Sequence, residues 1–296
     1  MRDQQKLHIL GASGFIGRYL FEQFSLANEF ITRGFSSREC NLLTYSDVHK
    51  TLSKATKNDN LIITAAITRL RDNSYSAMLR NIEMIHNVSR FLLEHPLRHV
   101  TYLSTVDIYG VSVKGKIKES LSLNPNDYYS ISKVMGEFLL QRVCFRNAIP
   151  LAILRLPGVY GPGDNGKSTI WNLVNSAVKN REIIVCGDGK DTRNYVYVRD
   201  LYEITRQAIM QKTDRIVNVS SPKSYSIVQI VEMLKRQLPF KVKVTFRPEN
   251  TRVEERLKHM RLDCSLLEKE FPDLKVTGLK EGICQYISEF LKVTLV

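Results

Sequence analysis

Tyr129 and Lys133 stand four residues apart in the run Tyr129-Ser130-Ile131-Ser132-Lys133, so a helix through them carries both side chains on one face, one turn apart. A phenol beside an ammonium can move a proton. Free tyrosine titrates at about 10, and lowering that by about three units takes about 4 kcal/mol of preferential stabilisation of the phenolate. An ammonium and a second nearby cation can supply it together. Alone, such a pair is ordinary helix surface, but here the apolar run Leu103-Ser104-Thr105 comes before it. A hydroxyl at a strand end, Thr105, can polarise a carbonyl beside the phenol.

A second pattern lies near the start of the chain. Gly11, Gly14 and Gly17 form G-x-x-G-x-x-G between strand-like Leu7-His8-Ile9-Leu10 and a helix-period stretch from Arg18 to Leu26. This spacing turns backbone amides and a helix N-terminus toward a pyrophosphate, with Ser13, Phe15 and Ile16 completing the turn. A side chain at Gly14 would stand in the way, and Gly17 lets the helix lie close to the strand. The reading is a dinucleotide site. An NAD-preferring site commonly ends its second strand with an acidic residue for the adenosine ribose. This chain instead runs Arg33-Gly34-Phe35-Ser36-Ser37-Arg38, and Arg33, Ser37 and Arg38 suit a ribose phosphate. NADP is the expected cofactor, with NAD as the alternative.

These residues need elements to hold them. Short apolar runs at Phe30-Ile31-Thr32, Leu61-Ile62-Ile63-Thr64, Val100-Thr101-Tyr102-Leu103 and Leu151-Ala152-Ile153-Leu154 alternate with helical patterns such as Tyr75 to Leu93 and Tyr129 to Phe145. Alternation of this kind predicts an α/β fold, a doubly wound parallel sheet with helices on both faces. From about residue 157, Pro157, Gly158, Gly161, Pro162, Gly163 and Gly166 break the pattern. The expected division is a dinucleotide-binding domain over 1–156 and a smaller α/β substrate lobe over 157–296, from which a strand or helix can return to the first domain.

Bulk composition narrows the class. With 296 residues, 43% hydrophobic and 25% charged, the chain is globular in character. Its net charge of +13 favours anionic partners, yet the basic residues are spread out and no nucleic-acid-binding motif accompanies them. Nucleic acid is therefore not an expected partner. Cys40, Cys144, Cys186, Cys264 and Cys284 show no metal-ligand spacing, so no metal is expected and the thiols should be free and mostly buried. No apolar run reaches the ~20 residues of a membrane span, and no signal pattern opens the chain. A cytoplasmic protein is expected.

The chain resembles, over nearly its whole length, the extended short-chain dehydrogenases/reductases, and within them the nucleotide-sugar epimerases, dehydratases and reductases. Besides the glycine turn and Tyr129/Lys133, the resemblance rests on Ala65-Ala66 after the fourth strand, Asn81 in the next helix, and Leu103-Ser104-Thr105-Val106-Asp107-Ile108-Tyr109-Gly110. It rests also on Arg155-Leu156-Pro157-Gly158-Val159-Tyr160-Gly161-Pro162-Gly163 and on Gly187-Asp188-Gly189 followed by Arg193 to Asp200. It implies a Rossmann-type fold, Tyr129, Lys133 and Thr105 as catalytic residues, Ala65 and Ala66 against the cofactor, and a nucleotide diphosphate sugar as substrate. Asp107 and Gly158 would meet that substrate, and Arg193 and Arg252 would grip its diphosphate. It also implies pairing through the helices of Asn81 and Tyr129 into a homodimer.

Two departures bear on the reaction. Family dehydratases place an Asp-Glu pair after the threonine, whereas Val106-Asp107 leaves a single acid here, which disfavours dehydration. Gly158 stands where many relatives carry an asparagine. The expectation is reduction of a 4-keto sugar with Tyr129 as acid/base. The alternatives are a 4-epimerase that keeps its NAD bound, a carbonyl reductase acting on a small non-sugar molecule, and a non-catalytic dinucleotide-binding module.

Overall fold

The computed structural model describes residues 5–164, 166, 168–248 and 257–294. The chain begins with β1 (Lys6–Leu10), α1 (Phe15–Ala27), β2 (Ile31–Phe35), α2 (Tyr45–Leu52), β3 (Asn60–Ile63), α3 (Tyr75–Glu94), β4 (His99–Thr105), α4 (Tyr128–Arg146) and β5 (Leu151–Leu156). It continues through β6 (Gly158–Tyr160), α5 (Thr169–Asn180), β7 (Glu182–Cys186), β8 (Thr192–Arg193), β9 (Tyr195–Tyr197), α6 (Val198–Gln211) and β10 (Arg215–Asn218). Last come β11 (Tyr225–Ser226), α7 (Ile227–Gln237), β12 (Lys243–Arg247), α8 (Ser265–Glu270) and α9 (Leu279–Thr294).

Six strands form one sheet in the order β10-β5-β4-β3-β1-β2. Helices flank this parallel, Rossmann-like sheet. The pairings β1–β2, β1–β3 and β3–β4 are parallel, with His8 opposite Arg33 and Ile9 opposite Ile62. Every residue of β3, β4 and β5 is buried. That is why those segments read as unbroken apolar runs: a strand covered on both faces has no water-facing side for polar residues. At the sheet edge, β2 leaves Ile31 and Arg33 exposed. The order of strands reverses beside β1, since β2 follows on one side and β3 on the other. A crevice at such a reversal is where open α/β sheets take ligands.

Two compact units divide the chain. The first takes the residues up to Ile108, then Leu123–Arg155 and Tyr202–Val217. Its core gathers Leu10, Leu61, Ile63, Val88, Phe91, Val100, Leu140 and Ile153. The second takes Tyr109–Ser122, Leu156–Leu201 and the residues from Asn218 onward. Its core is built from Tyr160, Val174, Ile183, Tyr197, Ile230, Leu234 and Ile283. Three two-stranded pairings, β7–β12, β6–β9 and β8–β11, serve this unit.

Three details differ from the expectation drawn from sequence. Ala65-Ala66 follows the third strand, because residues 36–59 supply helix α2 and no strand. Only Cys40 and Cys144 are fully buried, while Cys186 and Cys284 are exposed. Arg33 lies exposed within β2, whereas Ser37 and Arg38 lie beyond the strand.

The start of α4 is held by a reciprocal cap. Asp127 accepts the Ser130 N–H at 2.7 Å, and Ser130 Oγ accepts the Asp127 N–H at 3.3 Å. A carboxylate there satisfies an amide the helix cannot. Asp127→Ala should cost about 1 kcal/mol and lower the urea midpoint, whereas Asp127→Asn, which keeps an acceptor, should leave stability within a few tenths of a kcal/mol of the parent.

Candidate active site

The glycine turn is a close approach of backbone to backbone. Gly11 has φ +91, and a Cβ there would lie 2.7 Å from both the Ala65 nitrogen and the Thr64 hydroxyl. A Cβ on Gly17 would run into the Gly11 carbonyl oxygen. Thr64 donates through its hydroxyl to the Leu10 carbonyl at 2.9 Å, and the Gly11 N–H donates to the Phe35 carbonyl at 2.9 Å. The ends of β1, β2 and β3 are thus laced together around this turn. A Cβ on Gly14 would meet only the Gly11 carbonyl at 3.4 Å, so protein packing leaves room there. Gly14 is the N-cap of α1 and provides no side-chain cap. The first-turn amides of Phe15, Ile16 and Gly17 therefore face outward with the positive end of the helix dipole, as a pyrophosphate requires.

Tyr129, Lys133, Thr105 and Asp107 all fall in the first unit. Lys133 is buried and donates from Nζ to the Leu103 carbonyl at 2.6 Å, with its ammonium 4.6 Å from the centre of the Tyr102 ring. The Tyr129 ring centre is 6.0 Å away. Thr105 ends β4, and its hydroxyl accepts the Asp107 N–H at 3.2 Å. The phenol and hydroxyl come from different elements, a helix and a strand, which the Lys133–Leu103 bond ties together.

Electrostatics differ from the simple expectation. Burial raises the Tyr129 phenol above its ordinary range, Asp107 adds to the rise, and Arg69 partly opposes it. Within the chain alone, the influences that raise the phenol outweigh the one that lowers it. Burial pulls the Lys133 ammonium down to about 8, with Glu137 acting against the fall.

Arg69, in the loop after β3, lies 3.4 Å from both Asp107 and Asp127. Asp107 is thereby engaged by a cation. The same loop is fixed by Asn73, whose Oδ1 accepts the Tyr129 N–H at 3.0 Å. Buried Asn81 completes the anchorage: it accepts the Ile67 N–H at 2.7 Å, donates to the Ile67 carbonyl at 2.9 Å, and reaches the Ser132 hydroxyl at 3.2 Å. Sequence patterns mark Asn81 but not Arg69 and Asn73, which sit in an aperiodic stretch with no spacing signal. Glu137 also escapes them, although its place four residues beyond Lys133 repeats the Tyr129–Lys133 interval.

Gly158 and Arg193 belong to the second unit. A Cβ on Gly158 would come 2.9 Å from the buried Tyr195 ring, which gives a packing reason for the glycine. Arg193 pairs with Asp191 at 3.5 Å and donates to the Thr192 and Lys258 carbonyls at 3.0 and 3.3 Å. Arg252 lies outside the described residues. Among the described residues no cluster of acidic, His or Cys side chains is disposed to hold a metal ion, and no helix is long and apolar enough to cross a membrane.

The sheet and its glycine turn define a dinucleotide-binding α/β protein with oxidoreductase architecture. The chain belongs to the NAD dependent epimerase/dehydratase family, which matches residues 7–220. It is 26% identical over 287 residues to an uncharacterized UDP-glucose epimerase of Bacillus subtilis, covering 83% of this chain and 88% of that one. It is 27% identical over 234 residues to a GDP-6-deoxy-D-talose 4-dehydrogenase of Aggregatibacter actinomycetemcomitans, covering 77% and 79%. Its fold is similar to that of a UDP-glucose 4-epimerase of Thermotoga maritima solved with UDP-glucose, at TM-score 0.87 and 18% identity over 98% of this chain and 99% of that one.

A buried cation lowered from its usual range costs the fold stability. Below pH 8 Lys133 is protonated in both folded and unfolded chains, so the full penalty stands. It shrinks as pH rises from about 8 toward the unfolded value of about 10.4. Lys133→Met should therefore be more stable than the parent at pH 7, by up to about 3 kcal/mol, with the advantage fading above pH 8. Urea denaturation at pH 7 and pH 10 checks both the sign and the window.

Proposed function

We propose that this enzyme reduces a keto group on the sugar ring of a nucleotide diphosphate sugar, at the 4-position, with Tyr129 as the proton donor. The observation that carries the reading is the placement of the Tyr129 phenol on α4, one turn from buried Lys133, whose ammonium lies 6.0 Å from the Tyr129 ring centre and is bonded to Leu103, two residues before Thr105. Reduction of a ketone needs a proton delivered to the developing alkoxide, and a protonated phenol is the group that can give it. The Thr105 hydroxyl polarises the same oxygen. Lys133 donates to the nicotinamide ribose and steadies the charge left on Tyr129 after transfer. The bound dinucleotide supplies the hydride.

Gly11, Ser13, Gly14, Phe15, Ile16 and Gly17 receive the pyrophosphate at the start of α1, with Ala65 and Ala66 alongside. NADP is favoured over NAD by Ser37 and Arg38, both exposed directly beyond β2, with Arg33 exposed within the strand. Asp107, Gly158, Arg193 and Arg252 serve the substrate. Dehydration is disfavoured because Asp107 is bound to Arg69, with which a leaving hydroxyl would have to compete. A 4-epimerase with retained NAD is the second reading, favoured by the Bacillus subtilis relative named for that chemistry.

A homodimer is part of the proposal. Tyr75 and Leu79 on α3, and Tyr128, Met135 and Phe138 on α4, are exposed large apolar side chains on two helices packed side by side. Covering such a face is a usual reason for self-association. Sedimentation at micromolar concentration should give twice the chain mass, and Phe138→Glu should halve it.

The deciding experiment is mass spectrometry of nucleotides released from the purified protein. It is followed by titration with NADPH and NADH and by absorbance at the reduced-nicotinamide band with nucleotide-linked 4-keto sugars. Selective NADPH binding and substrate-dependent loss of that band support the reductase. In that case Arg38→Ala should weaken NADPH about tenfold, and Tyr129→Phe should keep binding while losing about 10²-fold or more in turnover, on the order expected for general acid catalysis. Retained NAD with interconversion of sugars and no net change in the band would replace it by the epimerase.

A further inference from the structure

Behind the Tyr129/Lys133 face lies a buried charge cluster that the proposed reaction leaves unassigned. Glu137 continues the file of Tyr129 and Lys133 along α4 by one more turn, and it is 1% exposed. Ser104 donates from Oγ to Glu137 Oε1 at 2.5 Å. Arg155 donates from Nε to the same oxygen at 3.1 Å and from Nη2 to Oε2 at 2.7 Å. Ser104 directly precedes Thr105 in β4, and Arg155 lies in β5; both are buried. Neighbouring residues of β4 are thus held by α4 twice, at Leu103 by Lys133 and at Ser104 by Glu137.

Two buried cations, Lys133 and Arg155, lie along the reach of Glu137, and its bidentate bonds go to Arg155. Lys133 is left with the Leu103 carbonyl, the rings of Tyr102 and Tyr129, and the carboxylate one turn away. A buried ion pair adds little net stability compared with apolar side chains of similar shape, so stability alone does not account for so costly a cluster.

We propose that Glu137 is the positioning residue of this site: it locks the end of β4 to α4 through Ser104 and Arg155, and supplies the buried charge that keeps Lys133 an ammonium. The inference rests on the role given to Lys133 above, but its test needs no turnover. Replacing the carboxylate by an amide of the same shape removes the charge while leaving an acceptor for Ser104.

The measurement is the titration of Lys133 in protein labelled with ¹³C at lysine Cε, its signal assigned by its loss in Lys133→Arg. In Glu137→Gln the midpoint should fall by about one pH unit or more, the size expected when a nearby opposite charge is lost. NADPH affinity, measured by fluorescence, should begin to weaken at correspondingly lower pH. Ser104→Ala, which keeps the charge, should leave the midpoint in place. An unchanged midpoint in folded Glu137→Gln overturns the proposal. Should that variant fail to fold, Arg155→Met gives the converse: freed from its competitor, the carboxylate acts on Lys133 alone and the midpoint rises, whereas no rise overturns the proposal. A midpoint that moves in a protein transferring no hydride to any nucleotide sugar would sustain this inference and remove the reductase reading.

Discussion

Removing an ammonium from water is expensive, and much of the first unit around α4 is arranged about the place where Lys133 does so. A lysine with 4% exposure can remain charged only if the surrounding groups replace part of its lost hydration. The Leu103 carbonyl, the face of Tyr102 and the charge of Glu137 are those groups. Each comes from a different register of β4 or α4, so satisfying the ammonium fixes helix against strand. The same fixation sets Thr105 and Tyr129 relative to each other. Electrostatic necessity and the geometry of the candidate site are here one constraint.

The glycine turn obeys a separate constraint, that of space. Gly11 and Gly17 approach other backbone so closely that a single methyl would force the ends of β1 and β3 away from α1. Gly14 is different in kind, since the protein leaves room for a side chain there. It stands at the uncapped helix end, where a helix N-terminus can take an anion. Two glycines thus serve packing and one leaves space, a distinction that their even spacing conceals.

Local constraints of this kind are the ones a sequence makes legible. Buried strands betray themselves by apolar runs, and the turn by three glycines, because in both cases neighbouring residues carry the whole signal. The interval from Tyr129 to Lys133 is readable for the same reason. Arg69 is not, since its partners Asp107 and Asp127 are 38 and 58 residues away along the chain, and its loop has no period to interpret. The raised phenol is equally hidden: spacing announces which groups are near, whereas burial decides which of their influences wins. Gly158 is visible as a departure, but its cause, the buried ring of Tyr195, emerges only when β6 pairs with β9.

Arg69 also bears on which of the family's reactions this architecture favours. A site that expels water needs a carboxyl free to give its proton to the leaving oxygen, whereas a site that only moves a hydride and a proton at one carbon needs none. Here the one acid following Thr105 is strung to a guanidinium that also holds Asp127, the residue capping the helix of Tyr129 and Lys133. Drawing Asp107 away to serve a leaving group would loosen one of the ties at the helix that presents the phenol. Under the proposed reduction, acid/base work falls to Tyr129, and Asp127 beside it caps the helix that carries the phenol.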